Sequence, residues 1–584
     1  MKKTYRIYGK WARIAAAACI VCVLAQICPQ PAKAAYSPPF PALRIALCYG
    51  SDVLPSANLQ NSDGFGKGYD FGYYDANREF VSTGAWTNET AISMMMDRNM
   101  TWNAGAGGGA GEYREGTGGS VVVGCFHVQL NAGYDTFEEA RTEAAKYNNA
   151  FVRYQSGKFL VLIGSHTTRT AAESAMSSLG LNGAAVNAGT SNTITVTKTG
   201  TNTVLFEFDM GTTPLGVRPR PISGEKPVTL FKNDRYNGGF SYARRDGAML
   251  TVLNIVEIED YVRGILPYEM SNSWPLEALK AQACCARSYS LASLNKHNSS
   301  AGADLCTTEH CQVYRGRRLA NARTDQAVDE TEGMYVTYQD TLCQTYYSAS
   351  NGGASESVEN VWTEAIPYLR GVIDPYEADI ASRVTNYYWT ISYTPAQITE
   401  RLRSRGYSCS TIVSIVVTKY TAVGNVHTIT ITDSNGRKFT FSKRAQLLTA
   451  LGVHSLRFNV GDSKWNMDSI YANEPALPLD PGAQTYGIDG SGATAMAPGE
   501  SMYAITGSGV VEKVEGENAG TSGGSSTGLI NGVFTIRGTG RGHNVGMSQW
   551  GAYSMAMYHN KDFIDIVKFY FTGVEITQTK PGGA

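Results

Sequence analysis

Apolar residues at Ile258, Tyr261, Val262 and Ile265 recur at i, i+3, i+4 and i+7, which predicts a short helix with one apolar face. Pro267 disfavours helix at Leu266, so Tyr268-Glu269-Met270 reads as a connector. Ser273 followed by Trp274 and Pro275 predicts the start of a second helix, with Glu277 in its favourable first turn. That helix carries Leu276, Leu279, Ala283 and Ala286 on its buried side, and Lys280 and Arg287 on another face. Glu269 is then a lone carboxylate on a loop between two packed helices, with Tyr268, Met270 and Trp274 beside it.

Alternating patterns elsewhere predict strands. Residues 36–102 read as a small β-rich accessory region, and 103–119 as a Gly-rich linker closing it. Residues 120–185 alternate strand, helix, strand, helix, and the helical stretch YDTFEEARTEAA is echoed by HTTRTAAESAM. From about residue 200 to 584 strands lead into the helix pair, and a Gly/Ser/Pro-rich loop insertion at 472–527 precedes two C-terminal helices. The expected class is α+β and multidomain: a β-rich domain with a short helical core plus a small ferredoxin-like domain.

Basic and acidic residues balance at 50 and 51, so total charge points to no nucleic-acid partner. Residues 1–34 have the three parts of a secretory signal: Lys2, Lys3, Arg6, Lys10 and Arg13, an apolar run from Ile14 to Ile27, and Ala32-Lys33-Ala34. The apolar run is short of the ~20 residues a bilayer span needs. A protein secreted to the extracytoplasmic cell wall, with no membrane attachment after cleavage, is expected. Export also permits disulfides among the eight cysteines beyond residue 34.

A carboxylate among apolar neighbours keeps its proton to higher pH, which suits a general acid near neutrality. The competing reading of Glu269 is a helix cap, or a partner of Lys280 or Arg287. The wording of the segment, P-Y-E-M…W-P-x-E-A-L-K-A-Q-A…A-R-S-Y, together with Gly538-Thr-Gly-Arg-Gly-His-Asn-Val-Gly-Met-Ser-Gln-Trp-Gly-Ala-Tyr553, resembles the stage II sporulation protein D (SpoIID)/LytB amidase-enhancer family. The resemblance implies a lytic transglycosylase that cleaves between N-acetylmuramic acid and N-acetylglucosamine in denuded peptidoglycan glycan strands. It leaves 1,6-anhydro ends, with Glu269 as the acid and base. The alternative is a non-enzymatic wall-binding enhancer of a cell-wall amidase. Residues 120–185 resemble a SPOR domain, which implies binding to glycan stripped of its stem peptides. Candidate substrate-binding residues are Lys280, Gln282, Arg287 and Tyr289 on the second helix, Ser348, Ser350 and Asn351 in the block YYSASNGG, and His543 and Gln549. Here the sequence reads Gly-His-Asn-Val-Gly where the family commonly has Gly-His-Gly-Val-Gly; Asn544 tolerates the positive φ such a turn needs.

His297, Cys306, His310 and Cys311 supply four ligands of the kind that tetrahedral Zn²⁺ takes. A disulfide from Cys306 to Cys311, Cys284 or Cys285 competes with that reading. Some family members carry a zinc-binding His/Cys set here, and the resemblance implies a structural zinc.

Overall fold

The computed structural model describes residues 36–105, 111–181, 184–188, 190–244, 249–362, 364–461 and 527–579, with two short backbone hairpins between 486 and 514. The expected signal segment lies outside the described residues, as does the 472–527 loop apart from those hairpins and its last residue. The fold is mixed α+β and strand-rich. No helix among the described residues is long and apolar enough to cross a membrane.

Residues 120–188 form a βαββαβ unit, with helices α1 (Phe137–Ala144) and α2 (Arg169–Ser178) between its strands. Each helix begins on a threonine whose hydroxyl accepts from the backbone: Thr136 from Glu139, in a full capping box, and Thr168 from Ala171. The four strands pair antiparallel in the order Ala185–Ala188, Phe126–Tyr134, Lys158–His166, Ala150–Gln155. That is the ferredoxin-like arrangement.

The unit is not hung on a linker. Its edge strand Ala150–Gln155 pairs in parallel with Val204–Asp209, and the sheet continues through Ile194–Lys198, Ala91–Met96, Ser56–Asn61, Thr229–Phe231 and Asp234–Tyr236. A second sheet pairs Ala42–Cys48 with Leu250–Glu257, and Tyr69–Tyr74 with Leu215–Pro219. The expected separate accessory region at 36–102 is therefore corrected: its strands complete two sheets with residues 194–257, across the domain boundary expected at 200. The 103–119 linker is corrected too, because Glu112–Glu115 forms a strand against Met100–Asn103. Local composition shows a run of glycines; it cannot show which distant strand an edge will meet.

A buried ionic cluster locks the unit to the sheet. Glu207 accepts from Arg153 Nε at 2.8 Å and lies 3.2 Å from His127 Nε2, while Asp97 Oδ2 stands 3.6 Å from Arg153 Nη2. Burial raises the Glu207 pKa on its own, but the Arg153 and His127 charges outweigh it and pull the group down to about 2.

In the C-terminal half, α3 (Ile258–Glu269) and α4 (Leu276–Ala292) lie between two hydrophobic cores. Tyr261 and Ile265 face the core of the two sheets, and Val262 and Leu266 face the core of the C-terminal half. So α3 is apolar on two sides rather than one. Gly264 lets it approach Tyr314, whose ring would stand 2.4 Å from an added Cβ. Contrary to the sequence expectation, α3 continues through Pro267 and ends on Glu269 itself. The proline forfeits one helical bond, and the helix stops within three residues, so the interruption costs little. The start of α4 also differs: Pro275 is its N-cap and no side chain caps it. From Ala281 to Leu291 every residue of the helix is buried.

Around this pair stand α5 (Ala322–Asp329), an inserted lobe with α6 (Pro395–Arg403), three strands and α7 (Lys443–Leu451), and the C-terminal α8 (Gln549–Tyr558) and α9 (Phe563–Tyr570). Tyr347–Ser348 pairs in parallel with Met547–Ser548, which brings the YYSASNGG block against the C-terminal block that carried the resemblance.

Glu207→Ala would leave Arg153 and His127 buried without their main counter-charge. The expected loss is about 3–5 kcal/mol, read from the urea midpoint; a loss under about 1 kcal/mol, as for an exposed pair, would deny the cluster its locking role.

Candidate active site and cysteine–histidine cluster

Glu269, at the end of α3, opens on a cleft of about 720 Å³ lined by segments 289–313, 346–349 and 541–549, with Trp362 and Arg444 on its wall. The carboxylate is part-buried and weakly held. Val313 N–H donates to Oε1 at 3.4 Å and Gln549 Nε2 to Oε2 at 3.3 Å. The Tyr347 hydroxyl, which accepts from Gln312 Nε2 at 3.0 Å, also supports it. Burial raises the Glu269 pKa, these donors lower it only in part, and the charge of Glu309 raises it further. Long hydrogen bonds do not repay the lost hydration, so the proton is kept to higher pH than on an ordinary glutamate.

Of the other residues expected in the cleft, Tyr289, Ser348, His543 and Gln549 line it. Lys280 does not: it pairs with Glu277 at 2.8 Å and Glu330 at 2.5 Å. Arg287 is fully buried in a two-point pair with Glu259, at 2.9 and 2.6 Å, and donates to the Met334 carbonyl. Gln282 is buried inside α4, its amide without a partner among the described residues. Burial of most of α4 turns Arg287 and Gln282 into the core, and of the four candidates on this helix only Tyr289 reaches the cleft. The acids near Glu269 in sequence are likewise engaged elsewhere: Glu257 and Asp260 with Lys226, Glu259 with Arg287, and Glu277 with Lys280.

Ser350 and Asn351 are buried beneath the cleft instead of lining it. Glu377 Oε2 accepts from Ser350 Oγ at 2.7 Å and Gly352 N at 2.8 Å, and its Oε1 accepts from Asn351 N at 2.8 Å and from Ser548 Oγ. Ser548 Oγ in turn accepts from Gly551 N at 3.1 Å and so caps α8, whose first residue is Gln549. Asp374 accepts from Asn351 Nδ2 at 2.7 Å and from the Tyr570 hydroxyl at 2.6 Å. Burial first, and the neighbouring Asp374 charge second, push Glu377 up to about 7.

Asn544 takes φ of 65°, as a glycine substitute must, and its amide donates to the Asn351 carbonyl at 2.7 Å. His543 Nε2 lies 2.9 Å from the Tyr347 carbonyl while Nδ1 accepts from Val545 N at 3.1 Å. Burial and then the Arg444 charge lower it to about 4. It is a neutral ring with both nitrogens engaged, suited to holding the wall and not to proton transfer near neutrality.

Sequence reasoning passed over Glu309, Tyr346, Tyr347, Trp362, Arg444 and Arg541, all of which line the cleft. Tyr346 and Tyr347 are the first two residues of the YYSASNGG block itself. Trp362 and Arg444 enter from distant segments that carry no local signal.

His297, Cys306, His310 and Cys311 converge, with one ligand atom of each lying within 4.8 Å of the others. Neither Cys306 nor Cys311 is in a disulfide. Tetrahedral zinc bond lengths would require about 3.3 Å between two nitrogens, about 3.6 Å between nitrogen and sulfur and about 3.8 Å between sulfurs. The separations are 3.2 Å for His297 Nε2 to His310 Nδ1, 3.4 Å for Cys311 Sγ to His297 Nε2, and 3.6 and 3.8 Å from His310 Nδ1 to Cys311 and Cys306. The hydrogen bond that the two thiols share lowers the pKa of Cys306 and raises that of Cys311, so without an ion one sulfur keeps the proton that metal binding would release. These four residues could hold a tetrahedral ion.

A family model described as stage II sporulation protein matches residues 246–338. An uncharacterized protein of Brachyspira hyodysenteriae is 31% identical over 62% of this chain and 80% of its own length. An amidase enhancer of Bacillus subtilis is 27% identical over 54% of this chain, a match covering 40% of the enhancer. Stage II sporulation protein D of Bacillus amyloliquefaciens is 24% identical over 55% of this chain and 75% of that protein.

Glu377 titrates higher in the folded chain than its ordinary 4.5, so its stabilising share is complete below about pH 4.5 and is lost as pH rises through about 7. Thermal unfolding should show the melting temperature of wild type falling between pH 5 and 8 (about that window) more steeply than that of Glu377→Gln. Equal slopes would remove Glu377 as the cause.

Proposed function

Since the chain belongs to the stage II sporulation protein D family, with relatives named for sporulation and amidase enhancement, we propose that it is an exported lytic transglycosylase of peptidoglycan glycan strands. One observation carries this reading: Glu269 is a carboxyl of raised pKa, facing a cleft, with no cation paired to it among the described residues. In the first step it gives its proton to the glycosidic oxygen as the anomeric C–O bond breaks. In the second, as carboxylate, it takes the proton of the muramic acid C6 hydroxyl, whose oxygen bonds the anomeric carbon. The acid is regenerated and no water is consumed. Val313 N–H, Gln549 and Tyr347 hold the carboxylate between the steps.

Glu309 supports a second reading. It lines the same cleft, and a hydrolase needs a second carboxylate. Mass spectrometry of amidase-stripped glycan after digestion separates the two: anhydro-muramic ends are expected, and reducing ends would establish hydrolysis. Glu269→Gln should slow cleavage by about a hundredfold or more. The rate should fall as pH rises through the raised Glu269 pKa, because the protonated form is the reactive one. The enhancer reading, taken from the B. subtilis relative's name, predicts the opposite: stimulation of a cell-wall amidase that survives Glu269→Gln.

The cysteine–histidine cluster fits structural zinc. His297, Cys306, His310 and Cys311 would fill all four positions, so the ion supplies rigidity and no open site for chemistry. It would anchor the loop that carries Glu309 and Val313. Purified protein should contain about one zinc ion per chain, with Cys306→Ser lowering both that content and the melting temperature. Oxidised cysteines and negligible zinc would reject the site. The ferredoxin-like unit at 120–185, as a SPOR-like module, would hold the chain on denuded glycan and raise the local substrate concentration.

A further inference from the structure

Arg444 is the second residue of helix α7 of the inserted lobe and stands on the cleft wall with Trp362 and His543. Its Nε donates to the Gly542 carbonyl at 3.3 Å, and no carboxylate among the described residues pairs with it. It is half-buried; the lost hydration lowers its pKa, and its charge is felt by His543. A guanidinium withdrawn from water without a counter-ion is costly in the free protein, and an anion entering the cleft recovers that cost. The guanidinium's terminal nitrogens form the planar fork that matches a carboxylate. Two further cations deepen the positive field. Arg541 is exposed on the same cleft, and Lys296 is bonded to neutral acceptors, the Tyr289 hydroxyl at 3.3 Å and the His310 carbonyl at 2.9 Å.

Resting on the glycan reading above, the chemistry of the ligand narrows the choice of anion. N-acetylglucosamine is uncharged. The lactyl group of N-acetylmuramic acid is an amide while a stem peptide is attached, and a carboxylate once the peptide has been removed. We propose that Arg444 binds the lactyl carboxylate of a peptide-free muramic acid residue, so that the cleft reads the loss of the stem peptide by charge. The selecting residue then comes from the inserted lobe, outside the segment 246–338 that the family model matches.

The test uses the full chain and two preparations of amidase-stripped strands: one with free lactyl carboxylates, one with those carboxylates converted to amides. Wild type should favour the carboxylate strands by about tenfold in kcat/KM, the scale of one charge-assisted contact. Arg444→Gln should bring that ratio to about one, and Arg444→Lys, which keeps charge without the fork, should retain part of it. An unchanged ratio in Arg444→Gln, or an equal loss on both strands, overturns the proposal, the second by making Arg444 structural. The same ratio is read in binding, by fluorescence anisotropy of labelled strands on Glu269→Gln chains with and without Arg444→Gln. If wild type cleaves neither strand yet binds the carboxylate form better through Arg444, the cleavage reading fails and this one stands. If the two forms bind alike, this one fails.

Discussion

The carboxylate of Glu377 gathers donors from two chain segments nearly two hundred positions apart (about the spacing of Ser350 and Ser548) and holds them at hydrogen-bond distance beneath the cleft. One segment then presents Ser348 and Tyr347, and the other presents Gln549 at the start of α8. The parallel pairing of Tyr347–Ser348 with Met547–Ser548 supplies two residues of ladder, too little to fix such a junction by itself. The buried carboxylate, with Asp374 bonded to Asn351 and Tyr570 beside it, supplies the rest. A buried acid that satisfies four donors is costly in desolvation and specific in geometry, which is the trade that buried polar groups offer.

Three glutamates show how neighbours decide what burial does. Glu207, between Arg153 and His127, is driven down to about 2 and serves as a permanent charge in a structural lock. Glu377, beside Asp374, is driven up to about 7. Glu269 has neither a cation to pull it down nor a set of short hydrogen bonds to compensate for hydration, and is raised. The distinction lies in partners that are far away in sequence, so residue type and local setting alone leave the roles of such acids open.

That is also the measure of what could be read from the chain. Glu269 and its two helices were legible from periodicity and wording, and so was the cysteine–histidine quartet, because short spacing in a loop already confines the ligands. Of the βαββαβ unit, alternation showed both helices and two strands; Ala150–Gln155 and Ala185–Ala188, short strands that take their meaning from their sheet partners, were not read. Residues 36–102 were not, since strand partners across more than a hundred positions leave no local trace. Arg287 looked like a cleft residue because a polar side chain on a conspicuous helix invites that reading. Its partner Glu259 sits on the preceding helix, and only the crossing of α3 and α4 brings the pair into contact. Arg444 lies in a segment without a local signal, and only the packing of the inserted lobe brings its helix to the cleft.

Acid and cation share this cleft without cancelling each other. Were Arg444 paired with Glu269, the carboxyl would fall to the range of Glu207 and could no longer give up a proton at useful pH. The guanidinium, its charge spent, would have nothing left for a ligand. The charge felt by Glu269 is that of Glu309, whereas the charge of Arg444 is felt by His543. Two elements keep them out of ion-pair contact. One is α3, pinned between two cores, and the other is the His543 turn, both of whose ring nitrogens are already engaged. Those two elements thus hold a carboxyl of raised pKa and a cation without a carboxylate partner within one cavity, out of ion-pair contact.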